Sequence, residues 1–266
     1  MIIIRKIRTL LCLIIRDYNW YRDAQCCRGK FFTKRLRAIP EGKKIVLMPH
    51  SDDEWIGCSQ ILMNQPEQVL VVNMDMPGGD DEELHQTRRK EAEFTAQKYG
   101  YRFVTVRDHV NDLVRILRDV QPDCVFLPCY LDWHEEHIEV MRLFKKAAME
   151  SGYDKTVAMY QVSLPIPAGL INCGYKMSHR QIMEKWSALK QFYPSQSFLP
   201  MKRFMLNEYI NGGVAEAYAI EAYSLMDSYT WMTSIDNLIL KSDIREKLKN
   251  HLQDIRFTRE FLQELL

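Results

Sequence analysis

From Lys43 to Glu150 the chain repeats one pattern: a short apolar run, a polar turn, then apolar residues at helical spacing. The runs "KIVLM" (44–48), "QVLVVNM" (68–74), "YRFVTV" (101–106) and "DCVFLP" (123–128) read as strands buried on both faces. Helical segments follow them over roughly 54–64, 85–99, 109–120 and 134–150. Strands alternating with helices of this length predict an α/β fold. The expected architecture is a Rossmann-like, mostly parallel sheet with helices on both faces. Further on, 157–165 and part of 215–225 read as strands, and Ser178 reads as the N-cap of a helix. The last thirty or so residues, from about Ser234, read as helical.

The first forty residues follow a different pattern. They divide the 266-residue chain into an amphipathic arm, 1–40, and a domain, 41–266. The arm's longest unbroken apolar run, Leu10–Ile15, is far below the roughly 18 residues of a membrane span. Wound as a helix, it sets Arg5, Arg8 and Arg16 on one side and Ile and Leu residues over most of the other. That suits a helix lying in a membrane interface, and equally one packed on the domain or on a second subunit.

Charge sharpens this division. The whole chain carries +1, but residues 1–40 hold ten Lys/Arg against two Asp, a net of +8, which leaves −7 for the remainder. An arm so basic calls for an anionic partner, and an acidic membrane surface is the expected one; nucleic acid is not. The seven cysteines show no CxxC pair and no regular spacing, as expected of thiols in a reducing compartment. The protein is therefore expected in the cytoplasm, or peripheral on the cytoplasmic face of a membrane.

Two polar clusters carry the candidate chemistry. "PHSDDE" (49–54) follows the first strand, and "DWHEEH" (132–137) follows the fourth. In doubly wound sheets ligands bind beyond the carboxyl ends of the strands, so the two loops can meet there. His50 and Asp53 can offer a nitrogen and an oxygen to a borderline cation such as Zn²⁺, with His134 or His137 as a third ligand. Asp52 is then available for proton transfer. Each cluster also has a plain alternative: "SDDE" is an ordinary acidic helix start, and His-x-x-His a solvated pair.

The same residues resemble a family. "PHSDDE" after a buried strand, with "DWHEEH" about eighty residues later, is similar to the two motifs of the PIG-L/LmbE-like N-acetylglucosaminyl deacetylases. "TRRKEAEFTAQKYGY" resembles that family's Arg-x-x-Glu helix, and "KWSALKQFYPSQ" its downstream segment. The resemblance covers about residues 43–200. It implies His50, Asp53 and His137 as ligands of Zn²⁺ or Fe²⁺, Asp52 as the base and His134 as the group that polarises the acetyl carbonyl. Glu136 is implied to orient His134, with Glu54 as a supporting group at the helix start. Arg88 is implied to reach a substrate hydroxyl or phosphate, and Trp133 is placed to stack on a sugar ring.

Ser51 departs from the family's proline, Glu135–Glu136 from Pro-Asp, and Cys58–Ser59 from a glycine-rich stretch; none removes a catalytic group. The expected activity is hydrolysis of the acetamide of an N-acetylated amino sugar, of the N-acetylglucosamine type, in a lipid- or phosphate-linked glycan intermediate. The competing functions are a sugar-binding scaffold on the same fold, and another metal-dependent amidase or phosphoesterase.

Overall fold

The computed structural model describes residues 2–79 and 81–266, and the side chains of residues 9–79 and 81–266. A long helix, α1 (Ile2–Arg28), leads into β1 (Lys44–Met48), α2 (Asp53–Asn64), β2 (Val69–Asn73), α3 (Glu82–Tyr99) and β3 (Arg102–Thr105). After them come α4 (His109–Val120), β4 (Cys124–Pro128), α5 (Glu135–Ser151) and β5 (Thr156–Tyr160). The remainder holds β6 (Cys173–Met177), α6 (His179–Phe192), α7 (Met201–Gly212), β7 (Ala219–Asp227), α8 (Ser228–Leu238), α9 (Ser242–Asn250) and α10 (Ile255–Glu264).

The strands form one seven-stranded sheet in the order β3-β2-β1-β4-β5-β7-β6. The first five are parallel, while β7 runs antiparallel to both β5 and β6. Strand β1 shows why the sheet is covered on both faces. Its Ile45 and Leu47 enter one core, with Leu113, Leu117 and Phe144 of α4 and α5. Val46 and Met48 point the other way, into a core with Trp55, Ala96 and Trp186 of α2, α3 and α6. The two-residue period of a strand delivers its apolar residues alternately to both layers. The expected mostly parallel α/β sheet is thus what forms.

The order also fixes where a site can lie. From β1 the chain steps outward to β2 and β3, then returns to place β4 on the other side of β1. The crevice beyond the carboxyl ends of β1 and β4 is the switch point at which such sheets bind ligands. Both strands stop at proline, Pro49 immediately after β1 and Pro128 as the last residue of β4. Proline has no N–H to continue the ladder, and the chain leaves the sheet there.

Where the sequence promised one helical stretch at the end, the chain folds α8, α9 and α10. Aspartates restart two of these helices: Asp227 accepts from Thr230 N at 2.8 Å, and Asp254 from Phe257 N at 2.8 Å. The last of them, α10, is anchored by Ile255 and Leu262, which are buried. Strand β6 and helix α7 have no counterpart in the sequence reading.

Candidate metal centre

The loop after β1 folds back on itself. The backbone N–H groups of Asp52 and Asp53 donate to the His50 carbonyl, and His50 N donates to Asp53 Oδ2 at 2.9 Å. This knot brings the i, i+3 pair into contact, with His50 Nδ1 3.2 Å from Asp53 Oδ2. Helix α2 is held close beneath it, since a Cβ on Gly57 would lie 2.2 Å from the Tyr160 ring of β5. Any side chain there would lift the helix and the carboxylates at its start.

The loop after β4 supplies the rest. His134 is the N-cap of α5, and His137 lies one turn further on, so their rings stack with centroids 4.8 Å apart. His137 is buried, and its Nε2 is 3.3 Å from His50 Nδ1 and 3.4 Å from Asp53 Oδ2. His50 Nδ1, Asp53 Oδ2 and His137 Nε2 therefore form a nearly equilateral triangle with sides of 3.2, 3.3 and 3.4 Å. A tetrahedral zinc with bonds of about 2.0–2.1 Å needs ligand-to-ligand edges of about 3.3–3.4 Å. The triangle matches one face of that tetrahedron. The three imidazoles also offer nitrogens within 4.8 Å of one another, a looser grouping than the one that includes Asp53.

The outer nitrogens of the two triangle histidines are occupied by carboxylates. His50 Nε2 is 2.6 Å from Glu136 Oε2, and His137 Nδ1 is 3.0 Å from Asp132 Oδ2. Metal-binding histidines are held in this way, with the far nitrogen fixed and the near one aimed at the ion. Glu136, expected to orient His134, instead lies on His50 and keeps His134 Nδ1 at 4.0 Å. The glutamate is long enough to reach back across the site, where Gly78 N also donates to it at 3.0 Å. Gly78 has φ of +63°, and a Cβ there would press on the His50 ring at 3.1 Å, so glycine suits the position.

Asp132 is the supporting residue that the sequence reading passed over. It is buried, and its Oδ1 accepts from His134 N at 3.1 Å while Oδ2 holds His137. An aspartate two residues before a helix N-cap is an Asx-turn signal, and that signal was legible in "DWH".

Electrostatics divide the carboxylates into different tasks. Burial and the charge of Asp53 push the Asp52 carboxyl up to about 7, with His50 and Arg88 pulling against the rise. Burial also acts to raise Asp53, but His137 and His50 overcome it and hold that carboxyl well below the usual range. Burial would lower both triangle histidines, yet the acids around them raise His50 to about 9 and His137 to about 10. Burial, with the neighbouring His137 and His50, takes His134 down to about 4, so its imidazole is neutral. The donor set thus demands positive charge at the triangle, the condition under which a divalent cation is held.

The remaining expected residues lie near the centre in differing degrees. Glu54 is fully buried and accepts a hydrogen bond from the Tyr193 hydroxyl. Burial raises its carboxyl to about 8 against that hydrogen bond. Arg88 is half-buried, with its guanidinium 5.8 Å from the Phe198 ring centre. Trp133 packs beside His134 with ring centroids 5.0 Å apart, and Lys249 of α9 covers one face of its indole at 4.9 Å. Arg245 of α9 pairs with Glu135 at the start of α5.

No protein-family model and no curated protein matches the chain. Solved structures do. The conserved protein TT1542 from Thermus thermophilus superposes with a TM-score of 0.54 at 19% identity, over 69% of this chain and 94% of its own. The zinc-inhibited form of the teicoplanin deacetylase Orf2 superposes at 0.53 with 14% identity, over 70% of this chain and 98% of its own. A triple mutant of a deacetylase from the teicoplanin biosynthetic pathway gives 0.53 at 16% identity, with the same coverage. At these identities the likeness is one of fold: the chain has the α/β fold of solved deacetylases.

Proposed function

We propose that the chain is a metal-dependent hydrolase that removes the acetyl group from an N-acetylated amino sugar, yielding free amine and acetate. The observation that carries this reading is the His50–Asp53–His137 triangle, with a carboxylate at about 7 and a neutral histidine beside it. The deacetylase-type fold supports it. His50, Asp53 and His137 would hold Zn²⁺ or Fe²⁺, which supplies a Lewis acid and lowers the pKa of water bound to it.

The chain's own groups do the rest. Asp52 has a pKa near neutrality, so it can take a proton from the attacking water and return it to the leaving amine. His134, neutral and half-buried, donates a hydrogen bond to the carbonyl oxygen as negative charge develops there. Glu136 and Asp132 keep the two triangle histidines in their tautomers. Arg88 reaches a substrate hydroxyl or phosphate, and Trp133 stacks on the sugar ring. We place the substrate in a lipid- or phosphate-linked glycan intermediate of the N-acetylglucosamine type. We place the protein in the cytoplasm, since seven cysteines without a CxxC pair or regular spacing suit a reducing compartment.

The test is acetate release from a panel of N-acetylated amino sugars by zinc- or iron-loaded protein, with release of inorganic phosphate followed in parallel. Acetate release supports the reading. Stoichiometric metal without acetate from any panel member rejects it, and phosphate release would assign the site to a phosphoesterase.

A further inference from the structure

Helix α1 has two working faces. Trp20, Ala24 and Cys27 are buried with Ile210 of α7 and Ile255 of α10. Trp20 Nε1 donates to the Gln253 carbonyl at 2.6 Å, and Arg28 donates to the carbonyls of Ala217 at 2.6 Å and Tyr218 at 3.0 Å. Arg16 lies on the docked side, its guanidinium 4.4 Å over the Trp20 ring. The second half of the helix is thus part of the folded body.

The other face has no such cover. At about 100° per residue, Leu11, Ile14, Ile15, Tyr18 and Tyr21 fall within an arc of about 120°, nearly opposite the docked residues. Each of the five is between 53 and 65% exposed. Monomeric surfaces expose single apolar residues as a matter of course, but a contiguous strip of five on one helix marks an interaction face. No helix among the described residues is long and apolar enough to cross a membrane.

Charge decides what the strip meets. The arm that carries it holds ten Lys/Arg against two Asp. Helix α1 itself holds six Lys/Arg against two Asp, a net of +4, and two copies brought side by side repel each other, which opposes a homodimer through this face. An anionic surface attracts the same charges, and Arg22, its side chain 62% exposed, falls within the arc of the strip; an apolar helix face that carries a base is the pattern that settles into the headgroup region of a bilayer. We infer that the exposed face of α1 docks on an anionic lipid bilayer, lying in the plane of the interface while the helix stays packed on the domain through Trp20.

The test uses the full chain, because Trp20, Cys27 and Arg28 belong to the fold and deleting the arm would damage it. Cosedimentation is measured with vesicles of phosphatidylcholine alone and with vesicles that also contain phosphatidylglycerol, at low and high salt. The account expects pelleting with the anionic vesicles, weakened by salt, and little with the neutral ones. The double variant Ile14→Glu/Ile15→Glu changes two exposed side chains, so its thermal melting should match the parent while its partitioning falls about tenfold or more. Failure of the parent to pellet overturns the inference, and so does undiminished pelleting of the variant. A concentration-dependent dimer that the same variant abolishes would give the face to a second copy and overturn it as well.

Discussion

Two clusters of buried charge stand out among the described residues, and they are built on opposite plans. In the core between α2, α6 and β7, Lys185 meets Glu208 and Glu221, all essentially inaccessible. Every partner there is internal. Glu221 accepts from Lys185 Nζ at 2.7 Å, Ser59 Oγ at 2.7 Å, Gln60 N at 2.9 Å and the Tyr223 hydroxyl at 2.6 Å. Glu208 accepts from Lys185 and from Trp186 Nε1. At the switch point, Asp52, Asp53 and Asp132 are just as buried, but their counterions are histidines that must be charged to serve. The first cluster draws its cation, Lys185, from within the chain; the second, on the proposed reading, is organised around a charge to be supplied. Buried charge by itself therefore says little, and the source of the compensating charge separates a structural cluster from a functional one.

Mutations can break that distinction. Asp52→Asn should give the largest effect, lowering turnover of the proposed deacetylation by about 10²–10⁴-fold with metal content unchanged, as metal analysis beside the acetate assay would show. Lys185→Met should act on stability instead, costing about 3–5 kcal/mol in a denaturant titration because two buried carboxylates lose their cation. Adding Glu221→Gln should recover part of that loss. If Lys185→Met left stability untouched, the contrast between the two clusters would fail.

Smaller changes sharpen the same contrast. Asp132→Asn keeps the shape but weakens the hold on His137, so metal affinity should fall about 10–100-fold in a competition titration against a chelator. Tyr193→Phe removes the donor to buried Glu54, at a cost of about 1–3 kcal/mol by thermal melting. Metal affinity in that variant should not move, since the Glu54 carboxylate bonds Tyr193 and is not a member of the triangle.

The parts legible in the sequence were those set by local spacing. The first four strands are continuous apolar runs because parallel strands are buried on both faces, and each forms within a residue or two of its expected position. The site's two loops were visible because each packs its polar groups into six residues. Strand β6, "CGYKM", was missed because it is short, holds a glycine and is only partly buried. Helix α7 begins directly after Pro200, without a side-chain cap to announce it. The Lys185 cluster could not be read at all, since its members are brought together from positions 59, 185, 208 and 221 by the antiparallel end of the sheet. The contact of Glu136 with His50 is hidden from the sequence for a related reason: its reach across the site depends on the packing of α5 against the loop after β1.

The central claim is that His50, Asp53 and His137 form a metal site, and X-ray absorption spectroscopy of the zinc-loaded protein tests it most directly. The account predicts one zinc per chain with a shell of two imidazole nitrogens and oxygen at about 2.0–2.1 Å, lost in His137→Ala. A shell containing sulfur at about 2.3 Å, or stoichiometric zinc that survives His137→Ala unchanged, would contradict it.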